Sequence, residues 1–347
     1  MDMDRQIRVT AVQMDANPAP VTERLARAEK LVGEAARAGT QLVVLPELFN
    51  AGYQYAPANF SLAESLDGPT AVWLRQTAQR WQIHLAGSLL LREGVEIYNA
   101  LLLFAPDGRM WRYDKTYPWG WERGYFRGTR GTTVAQTDLG DIGLMICWDA
   151  AHRQLWRQYA GRVDMMLITS CPPDVSNPTY LFPDGRHVGV AQMGPIMKRI
   201  QGDGRRVFGD MINQQAAWLG VPCVNTVGCG PITTDIPRGV GTLLTILPIA
   251  PHLAAYLPQA GRMRMRCEMV RGCKVVAGDG RVLTELAQSD GETFTQAVVT
   301  LPDAKPQPRS PQPKANISPF SYLASDYLLP FLMRSVYRQG VRQSVKT

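Results

Sequence analysis

Residues 41–47 read QLVVLPE, four consecutive apolar side chains closed by Pro46 and Glu47. An uninterrupted apolar run is the pattern of a strand buried on both faces, in a sheet that helices cover on either side. Two more such runs are IGLMIC at 142–147 and VDMMLITS at 163–170. Around them lies helical periodicity. Residues 18–38 place Val21, Leu25, Ala28, Val32 and Ala35 on one face and stop at Gly39. The pattern predicts a second helix over 69–82, with Pro69 in its first turn, and a strand over 83–91. Pro106-Asp107-Gly108 joins strands 98–104 and 109–113 as a hairpin, and Gly278-Asp279-Gly280 turns a second hairpin within 274–286. Residues 148–161 and 209–219 read as helices, and 7–13, 221–227 and 293–300 as strands. Strands alternating with helices, with hairpins interspersed, predict a layered α/β fold with mixed sheets.

The chain has 347 residues, of which 45% are hydrophobic, enough to bury a sizeable core, while 19% charged residues argue against disorder. The formal net charge of +7 is unevenly placed. Residues 304–347 hold seven basic groups (Lys305, Arg309, Lys314, Arg334, Arg338, Arg342 and Lys346) against Asp326 alone. The remaining 303 residues carry 30 basic and 29 acidic groups, so the body is nearly neutral and carries no nucleic-acid footprint. The composition therefore divides the chain into a body, 1–303, and a C-terminal appendage, 304–347. The appendage opens on the Pro-rich linker KPQPRSPQPK at 305–314 and ends in a basic, amphipathic arm.

The N-terminus MDMDRQIRVT lacks the apolar core of a signal peptide, and six scattered cysteines read as reduced thiols, so a cytoplasmic location is expected. Gly239 to Gly261 contains no Lys, Arg, Asp or Glu, yet its Pro248, Pro251, Pro258 and His252 suit a buried or covering loop better than a spanning helix. Cys223/Cys229 and Cys267/Cys273 each enclose five residues, wider than zinc sites favour, and no metal is expected. GDGRR at 202–206 lacks the Lys-Ser/Thr and the preceding strand of a phosphate loop.

Three chemically complementary residues stand at three strand ends. Glu47 closes QLVVLPE, Lys115 follows RMWRYD, and Cys147 closes IGLMIC and opens a helix. Ligands in α/β sheets sit beyond the carboxyl ends of strands. A helix N-terminus and a nearby lysine lower a thiol pKa, which predicts a thiolate at Cys147. A carboxylate can serve as general base and acid, and an ammonium with a backbone N–H can hold an oxyanion. Each residue also has an ordinary reading: a buried small hydrophobe for the cysteine, a cap for the glutamate, a solvated side chain for the lysine.

The blocks LVVLPELFNAGY (42–53), YDKTYPWGWERGYF (113–126) and GLMICWDAAHRQ (143–154) resemble, in order and spacing, the three motif blocks of the nitrilase, or carbon–nitrogen hydrolase, superfamily. RVTAVQM near the N-terminus and the late VVAGDGRVL resemble it too, so the likeness covers roughly 7–230 and 274–303. It implies a four-layer α-β-β-α sandwich of the nitrilase-like type. It also implies that Glu47 is the general base, Lys115 the oxyanion-stabilising lysine, Cys147 the nucleophile and Glu122 a second glutamate that positions the others. The Trp148 N–H would complete an oxyanion hole. Its side chain, with Tyr53, Trp119 and Cys171, would line a pocket for a small amide or nitrile; plain aromatic packing and a simple buried thiol are the rival readings. No cofactor is implied.

The sequence departs from the pattern at Asp149, where nitrilases proper usually carry Cys-Trp-Glu, and this leaves the branch open. Residues 171–208 read as long surface loops of the kind that contact substrate, and 231–273 as an insertion, either an apolar flap or a dimer contact. In the arm, Arg334, Arg338 and Arg342 recur every four residues beside Phe331, Leu332 and Tyr337, and Pro330 is expected to break or start a helix. Packing on a neighbouring subunit of a homodimer or higher homo-oligomer is the favoured reading; weak contact with an anionic membrane surface is the other. The resulting expectation is a thiol hydrolase of a non-peptide carbon–nitrogen bond, an amidase before a nitrilase. An N-acyltransferase-like enzyme and a non-catalytic, membrane-associated binding protein stand as alternatives.

Overall fold

The computed structural model of the protein describes residues 5–194, 200–248, 250–308 and 311–344. Arg309 and Lys346 of the basic tail lie outside the described residues. One six-stranded sheet runs, edge to edge, through Thr293–Thr300, Gln6–Gln13, Leu42–Val44, His84–Glu93, Glu96–Phe104 and Met110–Asp114. A second runs through Val282–Glu285, Lys274–Val276, Cys223–Asn225, Met165–Thr169, Gly140–Ile146 and Thr133–Thr137. Both mix parallel and antiparallel pairs, and the parallel strands are the apolar runs read from the sequence. The strand Thr133–Thr137 had no sequence signal strong enough to be read.

Helices Val21–Arg37 and Pro69–Trp81 cover the outer face of the first sheet, burying Ala28, Val32, Leu74 and Ala78 against Val43, Leu45 and Leu85. Helices Arg153–Tyr159 and Ile212–Leu219 cover the second, with Trp156, Tyr159, Ile212 and Ala216 in the larger core cluster that also fills the space between the sheets. This is the α-β-β-α sandwich. Local signals act as expected: Pro69 sits at the first helical position, and the 106–108 turn is closed by Arg109 N–H donating to Asp107 Oδ1 at 2.9 Å.

Three readings require correction. Residues 171–208 are not simply surface loops. Thr179–Leu181 and His187–Gly189 pair with Ile232–Asp235 and Arg264–Cys267 in a third, four-stranded sheet, and Asp174, Tyr180, Phe182 and Val188 are buried. The 231–273 segment thus supplies half of a sheet, and Thr234 Oγ1 accepts from Tyr55 N–H at 2.8 Å. The uncharged stretch inside it forms a helix, Gly239–Ile246, and 3-10 turns over Pro251–Arg262. No helix among the described residues is long and apolar enough to cross a membrane.

The arm, expected on a neighbouring subunit, folds back on its own chain. Pro319–Leu323, a π-helical stretch Ala324–Leu328 and helix Leu329–Ser344 follow one another with Leu323, Ala324 and Leu329 all in right-handed helical conformation, so Pro330, expected to break or start a helix, instead follows directly on the π-helical stretch inside a continuous helical backbone. Leu329 packs against Gly120 and Met333 against Gly124, Tyr337 OH donates to Glu96 Oε2 at 2.6 Å, and Gly340 admits the Phe60 ring so closely that a Cβ there would collide with it. The linker is pinned as well: Lys305 Nζ pairs with Asp164 at 2.5 Å, and Gln312 Nε2 donates to the Arg153 carbonyl at 3.0 Å.

Candidate active site

Glu47 leaves the first sheet just past Leu42–Val44, and its carboxylate is wholly buried. Its Oε2 accepts the Cys171 N–H at 2.9 Å, and its Oε1 accepts Asn99 Nδ2 at 2.8 Å and Lys115 Nζ at 2.8 Å. Lys115 Nζ also lies 2.7 Å from Glu122 Oε2. Glu122 in turn accepts from Tyr53 OH at 2.5 Å and from Trp119 N–H at 2.7 Å. Glu47, Lys115 and Glu122 therefore form one continuous buried ion network, with every oxygen of both carboxylates hydrogen-bonded. Such a network tolerates burial because both carboxylates share the Lys115 ammonium and every oxygen has a hydrogen-bond donor.

Burial opposes the charge on Lys115, but Glu122 and Glu47 outweigh it, and the ammonium is held well above the ordinary lysine range. Burial, with the Glu47 charge acting alongside it, pushes the Glu122 carboxyl up, and Lys115 pulls it back only in part. Tyr53 and Tyr55 are likewise raised by burial first and the Glu122 charge second, so both phenols are neutral donors.

Cys147 sits at the junction of strand Gly140–Ile146 and a short 3-10 helix, Cys147–Ala151, with φ of 51°. A non-glycine residue in the left-handed region is uncommon and marks a constrained turn. The turn is held from inside by Asp149, whose carboxylate accepts Tyr113 OH at 2.8 Å, Tyr117 N–H at 2.7 Å and Ile146 N–H at 3.2 Å. The thiolate expected from the sequence is not what the site favours. Burial is the largest influence on Cys147, the charges of Glu47 and Glu122 add to it, and together they push the thiol well above its ordinary value despite Lys115. A buried site whose lysine is already paired to two carboxylates offers a thiol no net positive field.

Cys147 opens into a cavity of about 90 Å³ walled by Tyr53, Tyr55, Trp119, Trp148, Phe208 and, from the arm, Phe320. Trp148 N–H belongs to the first turn of its helix, where backbone donors have no intrahelical acceptor. Its indole Nε1 donates to Asp326 Oδ1 at 3.1 Å, and Asp326 Oδ2 lies 3.0 Å from His152 Nε2. The His152 ring stacks on Tyr117 at 3.6 Å.

Of the residues singled out from the sequence, Glu47, Lys115, Glu122 and Tyr53 meet in one network, and Tyr53, Trp119, Cys147 and Trp148 share one cavity. Cys171 contributes differently from expectation. Its backbone N–H holds Glu47, while its thiol faces Met269 Sδ at 4.0 Å and does not line the cavity. Asn99 escaped the sequence reading, although a single amide inside the apolar run ALLLF and its flank was the available signal. Phe320 and Ser321, which line the cavity, and Asp326, which holds the Trp148 indole, carried no signal at all, because they come from beyond the linker. Among the described residues no cluster of side chains is arranged to hold a metal ion.

Comparison with known proteins assigns the family. The family model for carbon–nitrogen hydrolases matches residues 8–309. The chain belongs to the carbon–nitrogen hydrolase family. Among curated relatives it is 31% identical over 147 residues to a nitrilase of Pyrococcus abyssi, covering 41% of this chain and 56% of that protein. It is 30% identical over 181 residues to an omega-amidase of Xenopus tropicalis, covering 47% of this chain and 62% of that one. The chain spans about half the length of the curated relatives it matches. Among solved structures, a CN-hydrolase superfamily protein from Xanthomonas campestris superposes with a TM-score of 0.61 at 17% identity, over 85% of this chain and 91% of its own. An amidase from Nesterenkonia sp. gives 0.60 at 21% identity, over 88% and 93%. At these identities the structural matches establish the shared fold.

Proposed function

We propose that the protein is a thiol hydrolase of non-peptide carbon–nitrogen bonds, an amidase that works through a Cys147 thioester. The observation that carries this reading is the buried Glu47–Lys115–Glu122 network beside the Cys147 thiol. In the proposed cycle Glu47 takes the thiol proton as sulfur attacks the amide carbon. A neutral resting thiol in a buried site fits proton transfer to Glu47 in concert with attack better than a standing thiolate. Lys115 and the Trp148 N–H hold the oxyanion. Glu47 returns the proton to the nitrogen, the C–N bond breaks, and ammonia leaves. Water, deprotonated by Glu47, adds to the thioester carbon; the C–S bond breaks, the acid is released and the thiol regains its proton. Glu122 positions Lys115 and keeps its charge in place.

The cavity argues for the acyl group. It is small beside the ~300–1,000 Å³ of sites for drug-sized ligands, and its walls are aromatic. We therefore propose short, apolar acyl groups as substrates.

The nitrilase named among the relatives gives a second reading for the same residues. A nitrile would add Cys147 to form a thioimidate and consume one more water before the same thioester. Intact-mass spectrometry after exposure to matched aliphatic amides and nitriles tests both. A thioester on Cys147 of the wild type, captured by rapid acid quench, is expected with amides, and is expected to be absent in Glu47→Gln, which lacks the base for acylation. An adduct on another cysteine with Cys147 unmodified would sink the mechanism, and turnover of nitriles alone would replace the amidase reading by the nitrilase one.

A further inference from the structure

On the far side of Asp326 from the proposed catalytic cavity lies a second cleft, of about 440 Å³, between the arm and the segment that follows Glu122. Its lining includes four guanidinium groups, Arg123, Arg127, Arg334 and Arg338, and one carboxylate, Asp326. Asp326 is already engaged by Trp148, His152 and Ser325. Arg127 is paired with Glu96 and lies over the Tyr337 ring. No such partner serves Arg123: its Nε is buried and donates no hydrogen bond, and among the described residues no carboxylate pairs with its guanidinium. Burial lowers its pKa, which measures the cost of holding that charge there. Arg334 and Arg338, one helical turn apart on Leu329–Ser344, face the same cleft without an ion pair among the described residues.

A half-buried guanidinium with a buried, unanswered N–H and no paired carboxylate carries two costs, a lost hydrogen bond and a charge held from water, in a cleft that Arg334 and Arg338 also line. Each of those costs is removed by one kind of ligand, an anion presenting several oxygen acceptors to planar N–H forks. We propose that this cleft is a binding site for a phosphate group, held by Arg123, Arg334 and Arg338. The site is separate from the catalytic cavity and shares only Asp326 with its surroundings. Phosphate chemistry reaches it from two sources, a free phosphate-bearing solute or a phospholipid headgroup, and exposed Phe331 and Tyr327 on the same arm leave the lipid source open to test.

Isothermal titration of the full chain with inorganic phosphate, at fixed low ionic strength, reads the site directly. Saturable binding is expected, weakened at least ~10-fold in Arg123→Met and in Arg338→Met, the loss of one charge-assisted pair of hydrogen bonds. Arg342→Met removes an arm charge outside the cleft and is expected to leave binding unchanged. Co-sedimentation with phosphatidylcholine vesicles containing phosphatidic acid separates the sources. Sedimentation lost in Arg123→Met assigns the headgroup, and phosphate binding without sedimentation assigns a free solute. The proposal is overturned if the wild type shows no saturable phosphate binding. It is equally overturned if Arg342→Met weakens binding or sedimentation as much as Arg123→Met, which would mean diffuse surface attraction.

Discussion

Lys115 Nζ lies 2.8 Å from Glu47 Oε1, and both side chains are wholly buried. The pair links two strand ends 68 residues apart in sequence and fixes where positive charge stands beside the Cys147 thiol. Lys115→Met leaves the Glu47 and Glu122 carboxylates facing each other without the ammonium between them. Stability is expected to fall by about 3–5 kcal/mol, the usual cost of breaking a buried pair from one side. Chemical denaturation at pH 7 measures it, and a loss under about 1 kcal/mol, the scale of an exposed pair, would show that the network is not electrostatically tight.

Glu47→Gln keeps the shape of the site and removes its base. Turnover of an amide substrate is expected to drop by about 10²–10⁴-fold. The same substitution removes the negative charge that helps push the Cys147 thiol up, so thiolate forms at lower pH. The pH profile of Cys147 alkylation by iodoacetamide should therefore move to lower pH in Glu47→Gln, even as catalysis falls. An alkylation profile that moves to higher pH contradicts the assigned environment of the thiol.

Asp326→Asn tests the tie between arm and nucleophile turn. Burial pushes the Asp326 carboxyl up, but hydrogen bonds and charge from His152, with the Trp148 indole, outweigh it and hold the carboxyl below the ordinary range. A depressed carboxyl stabilises the fold above its unfolded pKa of about 3.9, and the contribution disappears as pH falls through the folded value. Asp326→Asn should cost about 1–3 kcal/mol at neutral pH, and the gap in Tm from wild type should close as pH falls below about 4.

Lys274 provides a test in the opposite direction of pH. It is buried, donates to Gly209 O and Asn213 Oδ1 at 2.7 Å each, and burial brings its pKa down to about 8. Below that value folding carries the cost of the buried charge. Between pH 8 and the unfolded value near 10.5 the native chain releases a proton that the unfolded chain keeps, so this site gains stability as pH rises. Relative to Lys274→Met, the wild type should gain on the order of 3 kcal/mol across that window. Paired denaturation curves at pH 7.5 and about pH 10 decide it.

Much of the site was legible because Glu47 and Cys147 end apolar runs and Lys115 follows the second strand of a hairpin. The three could be found by asking which reactive side chains stand at strand ends, and the resemblance of three motif blocks added Glu122. The thiol's ionisation state was not legible. Sequence places a lysine and a helix start near Cys147, but only the folded geometry shows that Lys115 is already shared between two carboxylates and that burial dominates. Asn99 was hidden for a related reason: an amide inside a strand gives no sign of which carboxylate it will meet.

By itself the sequence determined the layered α/β architecture and three of the four charged or reactive positions, because hydrophobic period and strand ends are local properties. It also determined that the net charge belongs to the tail. Tertiary structure alone decided where that tail goes. The apolar face of Leu329, Met333 and Tyr337 is satisfied by Gly120, Gly124 and Phe60 of the same chain, and this brings Asp326 onto Trp148 and sets four arginines around one cleft. A pattern of period 3.6 specifies that a helix has a face to bury; which surface buries it depends on shape and on contacts more than two hundred residues apart, which no local pattern encodes.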